Sequence, residues 1–191
     1  LLELSQIKDG GTVEEFIKAI EDAVRQENWL AALSLSLLVP DICGRIDDPS
    51  KKSSVRYARW FNTWFQFRQS NHTLAGKDCY ALRCAITHEG RADTSAQKAK
   101  AAIDKYHFVR PPTDGSKPHI TELAGALYVP VDIFVDEMCT ALTRWLSSKS
   151  NDIGAQRRIG NLIKIHEPTE QIAAAKMTYP SFGTIGTISV G

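Results

Sequence analysis

The sequence predicts a mainly α-helical domain with a small two-stranded β ribbon. Three observations predict it. Apolar residues recur at helical spacing through most of the first ninety residues and again over 130–147. Thr12 and Glu15 form a capping box, the reciprocal signature that opens a helix. Strand composition is confined to two short stretches, 105–109 and 126–129, with the turn-rich Pro111-Pro112-Thr113-Asp114-Gly115 between them.

Composition bounds the rest. A chain of 191 residues, 43% apolar and 24% charged, has ordinary globular composition. A core of this size can bury about 70% of the unfolded surface, so no covalent staple is required. Residues 1–148 are expected to form the helical domain, and 149–191 a helical extension and tail of the same domain. The net charge of +1 means that any affinity for nucleic acid must come from a local patch. Cys43, Cys79, Cys84 and Cys139 show neither CxxC nor metal-ligand spacing, and their small apolar neighbours suggest reduced, buried thiols in a cytoplasmic protein. His72, His107, His119 and His166 are scattered, so neither a metal site nor a cofactor is expected. No signal peptide or uninterrupted eighteen-residue apolar run is visible, and no membrane association is expected.

After the capping box, Val13, Phe16, Ile17, Ile20 and Val24 mark an amphipathic helix to about Gln26. A second helix is expected over 28–46. Its apolar residues cover more than one face, which suits a central helix or one shared with a subunit interface. Pro40 removes a backbone donor and should kink it, with Asp41 just beyond. A carboxylate in such surroundings needs a partner.

The break at 47–52 leads into an aromatic helix over 53–68. Tyr57, Trp60, Phe61, Trp64 and Phe65 form one stripe, flanked by Arg56, Arg59 and Arg68. A core stripe with solvated arginines is the favoured reading, and a platform for stacking bases beside phosphate-binding cations the alternative. Residues 74–89 form the next helix, with Thr73 as its cap. A helical turn within 95–103 precedes the ribbon, and Pro130 opens a long helix. Further helices are expected over 151–166, basic at Arg157, Arg158 and Lys164, and over 169–177. The Gly-, Thr- and Ser-rich tail 180–191 has the composition of a mobile end.

The chemistry concentrates in Asp78-Cys79-Tyr80-Ala81-Leu82-Arg83-Cys84-Ala85-Ile86-Thr87-His88-Glu89-Gly90. Arg83 lies inside an apolar helix, and an arginine there requires pairing. Its candidate partners are Asp41 and Asp78. His88 follows near the helix end, and Gly90 suits the position that closes a helix. A fixed cation and a titratable imidazole can together bind a phosphate and move a proton. On an ideal helix, however, five residues turn through about 140°, so the two do not share a face. They converge if the helix distorts at its end or if a second copy supplies one of them.

Leu-Arg-x4-His, with Tyr80 three residues before the arginine and Glu89-Gly90 after the histidine, resembles the Arg-x4-6-His motif of the HEPN superfamily. The segment 31–47 resembles the helix that precedes this motif in plasmid and phage-defence members. The likeness covers about residues 12–148. It implies a HEPN-like helical bundle that dimerises so that two Arg–His pairs face one groove. It further implies metal-independent RNA cleavage in the manner of toxin–antitoxin, abortive-infection and CRISPR-associated members. His88 would take the 2′-hydroxyl proton and Arg83 would hold the phosphoryl oxygens. The products would be 2′,3′-cyclic phosphate and 5′-hydroxyl ends. Glu89 is a polar neighbour able to orient His88. RNA, a second copy and an antitoxin protein are the implied partners. Toxins paired with a nucleotidyltransferase antitoxin carry a Tyr two residues after the His, where this chain has Gly90, so regulation through that Tyr is not implied. Many HEPN members bind RNA or partners without cutting, and that is the alternative reading.

Overall fold

The computed structural model describes residues 12–89 and 97–165, without the side chains of residues 88, 89 and 97–100. The expected helix over 169–177, the tail, His166 and Gly90 lie outside the described residues.

Helix α1 (Val13–Arg25) begins at the Thr12–Glu15 capping box, with both reciprocal hydrogen bonds present. Helix α2 (Trp29–Asp47) is N-capped by Asn28, whose side chain accepts from the Ala31 N–H. It occupies the centre, against α1 and against α3 (Ser53–Trp64), α4 (Gly76–Cys84), α6 (Val131–Ser148) and α7 (Ile153–Ile159). Its Ala32, Leu37, Val39, Cys43 and Ile46 are buried in the core. By length and composition alone, at 19 residues with a mean hydropathy of 1.4, α2 could cross a membrane, although Asp41 and Arg45 interrupt its apolar run. Half of that stretch is buried against the other helices.

The helix continues through Pro40. Proline supplies no N–H to the carbonyl four residues back. One residue beyond that carbonyl, the buried Tyr57 hydroxyl donates to the Leu37 carbonyl at 3.0 Å. Across the same face Gly44 lets α3 approach: a Cβ there would stand 3.0 Å from the Arg56 carbonyl oxygen.

The aromatic stripe of α3 is core. Tyr57, Trp60 and Phe61 are buried, so they present no stacking platform. The expected helix to residue 68 ends instead at Trp64. Phe65 turns extended and stacks on Phe61 at 4.4 Å, while Phe65 and Phe67 are both buried. Burying both rings takes the chain off the helical path. Arg68 then lies outside the helix and reaches α6, with Nε 2.6 Å from the buried Glu137 carboxylate.

Thr73 does not cap α4. The helix starts at Gly76, whose N–H donates to Asn62 Oδ1 of α3 at 2.9 Å. The cap is therefore tertiary. Gly76 also permits the close crossing, since a Cβ would lie 2.7 Å from the Ala58 carbonyl oxygen.

Helix α5 (Gln97–Lys105) leads into β1 (Tyr106–Val109), followed by β2 (Thr121–Leu123) and β3 (Ala126–Pro130). The expected two-stranded ribbon is thus a three-stranded mixed sheet in the order β1-β3-β2. β1 pairs parallel to β3 and β2 antiparallel to it. The missed strand is short and exposed, so it carries no burial pattern. Its hairpin turn rests on Ala124 and Gly125, both at positive φ. Pro130 leads into α6, where Phe134, Met138, Leu142 and Trp145 are buried. The expected helix over 151–166 is shorter. α7 ends at Ile159 before Gly160, and Lys164 lies beyond it.

Candidate functional site

Arg83 and Asp41 come together. The Arg83 Nη2 group pairs with Asp41 Oδ2 between α4 and α2, and their side chains are only 18% and 11% exposed. Asp41 Oδ1 accepts from the Ser53 hydroxyl at 2.6 Å, so one carboxylate ties together α2, α3 and α4. An ion pair at one oxygen and a hydrogen bond at the other answer the need of a buried carboxylate for partners.

Asp78, the other candidate partner, is occupied elsewhere. It accepts from the Tyr106 hydroxyl at 3.0 Å and lies 3.7 Å from Lys105 Nζ. It therefore anchors α4 to the start of β1. Tyr80 packs edge-on against Tyr57, with ring centroids 5.4 Å apart. Its phenol pKa is raised, first by burial and then by its hydrogen bond to Cys84.

His88 and Glu89 lie in a π turn, Ala85–Glu89, which follows α4 without a break. The backbone thus distorts between Arg83 and His88. An i→i+5 turn takes one more residue than an α turn, so residues five apart stand nearer one face than on an ideal helix. The Thr87 hydroxyl donates to the Arg83 carbonyl at 2.8 Å, a bond of the kind that competes with the helical ladder and bends it. The side chains of His88 and Glu89 lie outside the described residues.

Arg83 and Asp41 line a groove of about 860 Å³. Leu38, Ile42, Ile46 and Leu162 give it an apolar floor. Arg45, Arg56 and Arg158 also line it, while Asp41 is the only acidic lining residue among the described residues. Each of these three arginines is held by a backbone carbonyl. Arg45 Nη1 donates to Pro49 at 2.6 Å, Arg56 Nη1 to Lys51, and Arg158 Nε to Ile46 at 2.6 Å. Arg59, which does not line the groove, instead faces Asp48 at 3.8 Å.

Arg45 and Arg158 escape site assignment by sequence motif, and Arg56 enters there only as a flank of the aromatic stripe, in the alternative of phosphate-binding cations beside stacked bases. The one local signal is that Leu38, Asp41, Ile42 and Arg45 follow helical spacing on a single face of α2. Among the described residues no group of three or more His, Cys, Asp or Glu side chains is placed to hold a metal ion.

Fold and site together define a mainly α-helical domain whose central helix floors an arginine-lined groove. No family model, curated protein or solved structure matches the chain.

Proposed function

We propose that this chain is a HEPN-type, metal-independent endoribonuclease. The observation that carries the reading is the π turn, which starts two residues after Arg83 and contains His88. Arg83 itself stands in a groove with three further arginines. In this reading His88 takes the 2′-hydroxyl proton of RNA, and the freed oxygen attacks the adjacent phosphorus. Arg83 donates to the phosphoryl oxygens as charge builds on them. The 5′-oxygen leaves and takes a proton from water, and His88 returns its own to solvent, giving a 5′-hydroxyl end and a 2′,3′-cyclic phosphate.

A groove built from two copies would set two such pairs across a two-fold axis. A homodimer is therefore part of the proposal, together with cytoplasmic toxin or phage-defence biology and an antitoxin partner. Incubating the purified protein with RNA in excess EDTA tests the activity. Cleavage leaving cyclic phosphate ends is expected for RNA and none for DNA. Sedimentation at tens of micromolar should find a dimer.

One observation favours the second reading, a non-catalytic HEPN-like module that binds RNA or a partner. Arg83 is already paired with Asp41, so its charge is compensated before any phosphate arrives. Salt-dependent RNA binding without cleavage would select that reading.

A further inference from the structure

We propose that Arg45, Arg56 and Arg158 grip the phosphates of a single-stranded nucleic acid on either side of the one presented to Arg83. The choice of nucleic acid over other polyanions rests on the ribonuclease reading. The geometry of the grip does not.

The three arginines come from α2, α3 and α7, so no local segment gathers them. Their carbonyl anchors hold the guanidinium groups at the groove while leaving other N–H groups for a ligand. Charge compensation separates them from Arg83. Asp41 pairs with Arg83, whereas Arg45, Arg56 and Arg158 form no ion pair with a carboxylate among the described residues. The Nε groups of Arg56 and Arg83 are also buried without a hydrogen-bond partner there. Among the described residues, four cationic side chains against one carboxylate, in a chain whose overall net charge is +1, make this groove a local concentration of positive charge. The apolar floor of Leu38, Ile42 and Leu162 offers base faces a surface that is not charged.

Phosphate contacts carry no information about the sugar, so the groove should hold DNA as well as RNA. A labelled oligothymidylate, which has no 2′-hydroxyl to react, is therefore the probe, with anisotropy measured across a salt series. Each phosphate contact on a single strand contributes about 0.7 to the slope of log K against log salt. Substituting Arg45→Gln, Arg56→Gln and Arg158→Gln together should lower that slope by about 2. The corresponding three lysine substitutions should retain most of it. Glutamine keeps an N–H for each carbonyl anchor. If the triple variant fails to fold, the single variants carry the test, each with an expected loss of about 0.7.

An unchanged slope in folded variants overturns the proposal. So does a polyglutamate of matched charge that competes as well as the oligothymidylate. RNA cleavage is scored separately. A protein that binds through these arginines but cuts no RNA would retire the ribonuclease reading and leave the groove. A protein that cuts RNA with a slope indifferent to them would retire the groove alone.

Discussion

Arg83 on α4 and Asp41 on α2 form an ion pair largely shielded from solvent, 42 residues apart in sequence. Breaking a buried pair strands the remaining charge and typically costs about 3–5 kcal/mol. Asp41→Ala should lose stability of that order in urea unfolding, and Ser53→Ala about 1 kcal/mol through its lost hydrogen bond. An Asp41→Ala, Arg83→Ala double variant should recover part of the single-variant loss, because neither charge is then left alone. Unchanged melting of Asp41→Ala would show that the pair does not hold α2 to α4.

The catalytic proposal separates the two motif residues by kinetics. His88→Ala should lose about 10²–10⁴-fold in cleavage rate while keeping RNA affinity, since it removes proton transfer and little charge. Arg83→Ala should lose both rate and affinity, because the phosphate contact exists in ground and transition states. Arg83→Lys should recover only part of the rate, lacking the planar two-pronged donor. Melting curves must accompany both Arg83 variants, given the ion pair with Asp41. A folded His88→Ala that cuts RNA at the parent rate would remove His88 from the reaction.

Gly76 marks where α4 crosses α3. A Cβ there would stand 2.7 Å from the Ala58 carbonyl oxygen and 2.8 Å from the Asn62 oxygen that caps the helix. Forced overpacking of this kind commonly costs about 1–3 kcal/mol. Gly76→Ala should therefore destabilise the protein despite alanine's better helix propensity, with the loss read as a lower urea midpoint at an unchanged slope. A stabilised variant would place the crossing elsewhere.

The thiols predict a pH dependence. Burial, and then Glu21, pushes the Cys139 thiol up to about 12. Burial likewise raises Cys43 and Cys79 well above the ordinary range. A raised folded pKa contributes stability that is fully present below the unfolded value of about 8.5 and is lost as pH rises toward the folded one. Stability should therefore fall between about pH 8.5 and 12, apart from contributions by other groups. Alkylation of Cys139 near pH 8 should be far slower in the native protein than in urea. Equal rates would show an accessible thiolate.

Much of this was legible in the chain because it is local. The Thr12–Glu15 box acts over three residues, and helical spacing placed α1, α2 and α6 with ends that moved by only a residue or two. Polar chemistry inside an apolar helix also marked Asp41 as needing a partner, since a buried carboxylate has few ways to exist. Arg83 could be named as a candidate for the same reason. The Arg-x4-His spacing pointed to His88, but on an ideal helix it set the two residues on different faces.

Tertiary contacts decided the rest. α3 stops at Trp64 because Phe65 and Phe67 are buried in the core, a pull that helical spacing cannot report. α4 takes its cap from Asn62, fourteen residues away, in place of the nearby Thr73. β2 exists through its pairing with β3, since its own side chains are all exposed. The groove needs the longest reach: Arg158 finds the Ile46 carbonyl across 112 residues and joins Arg45, Arg56 and Arg83 there. Sequence by itself determined which segments are helical and which charges need partners, because backbone propensity and desolvation act residue by residue. Only the packed structure decided which charges meet, because close packing of α2, α3, α4 and α7 fixes those distances.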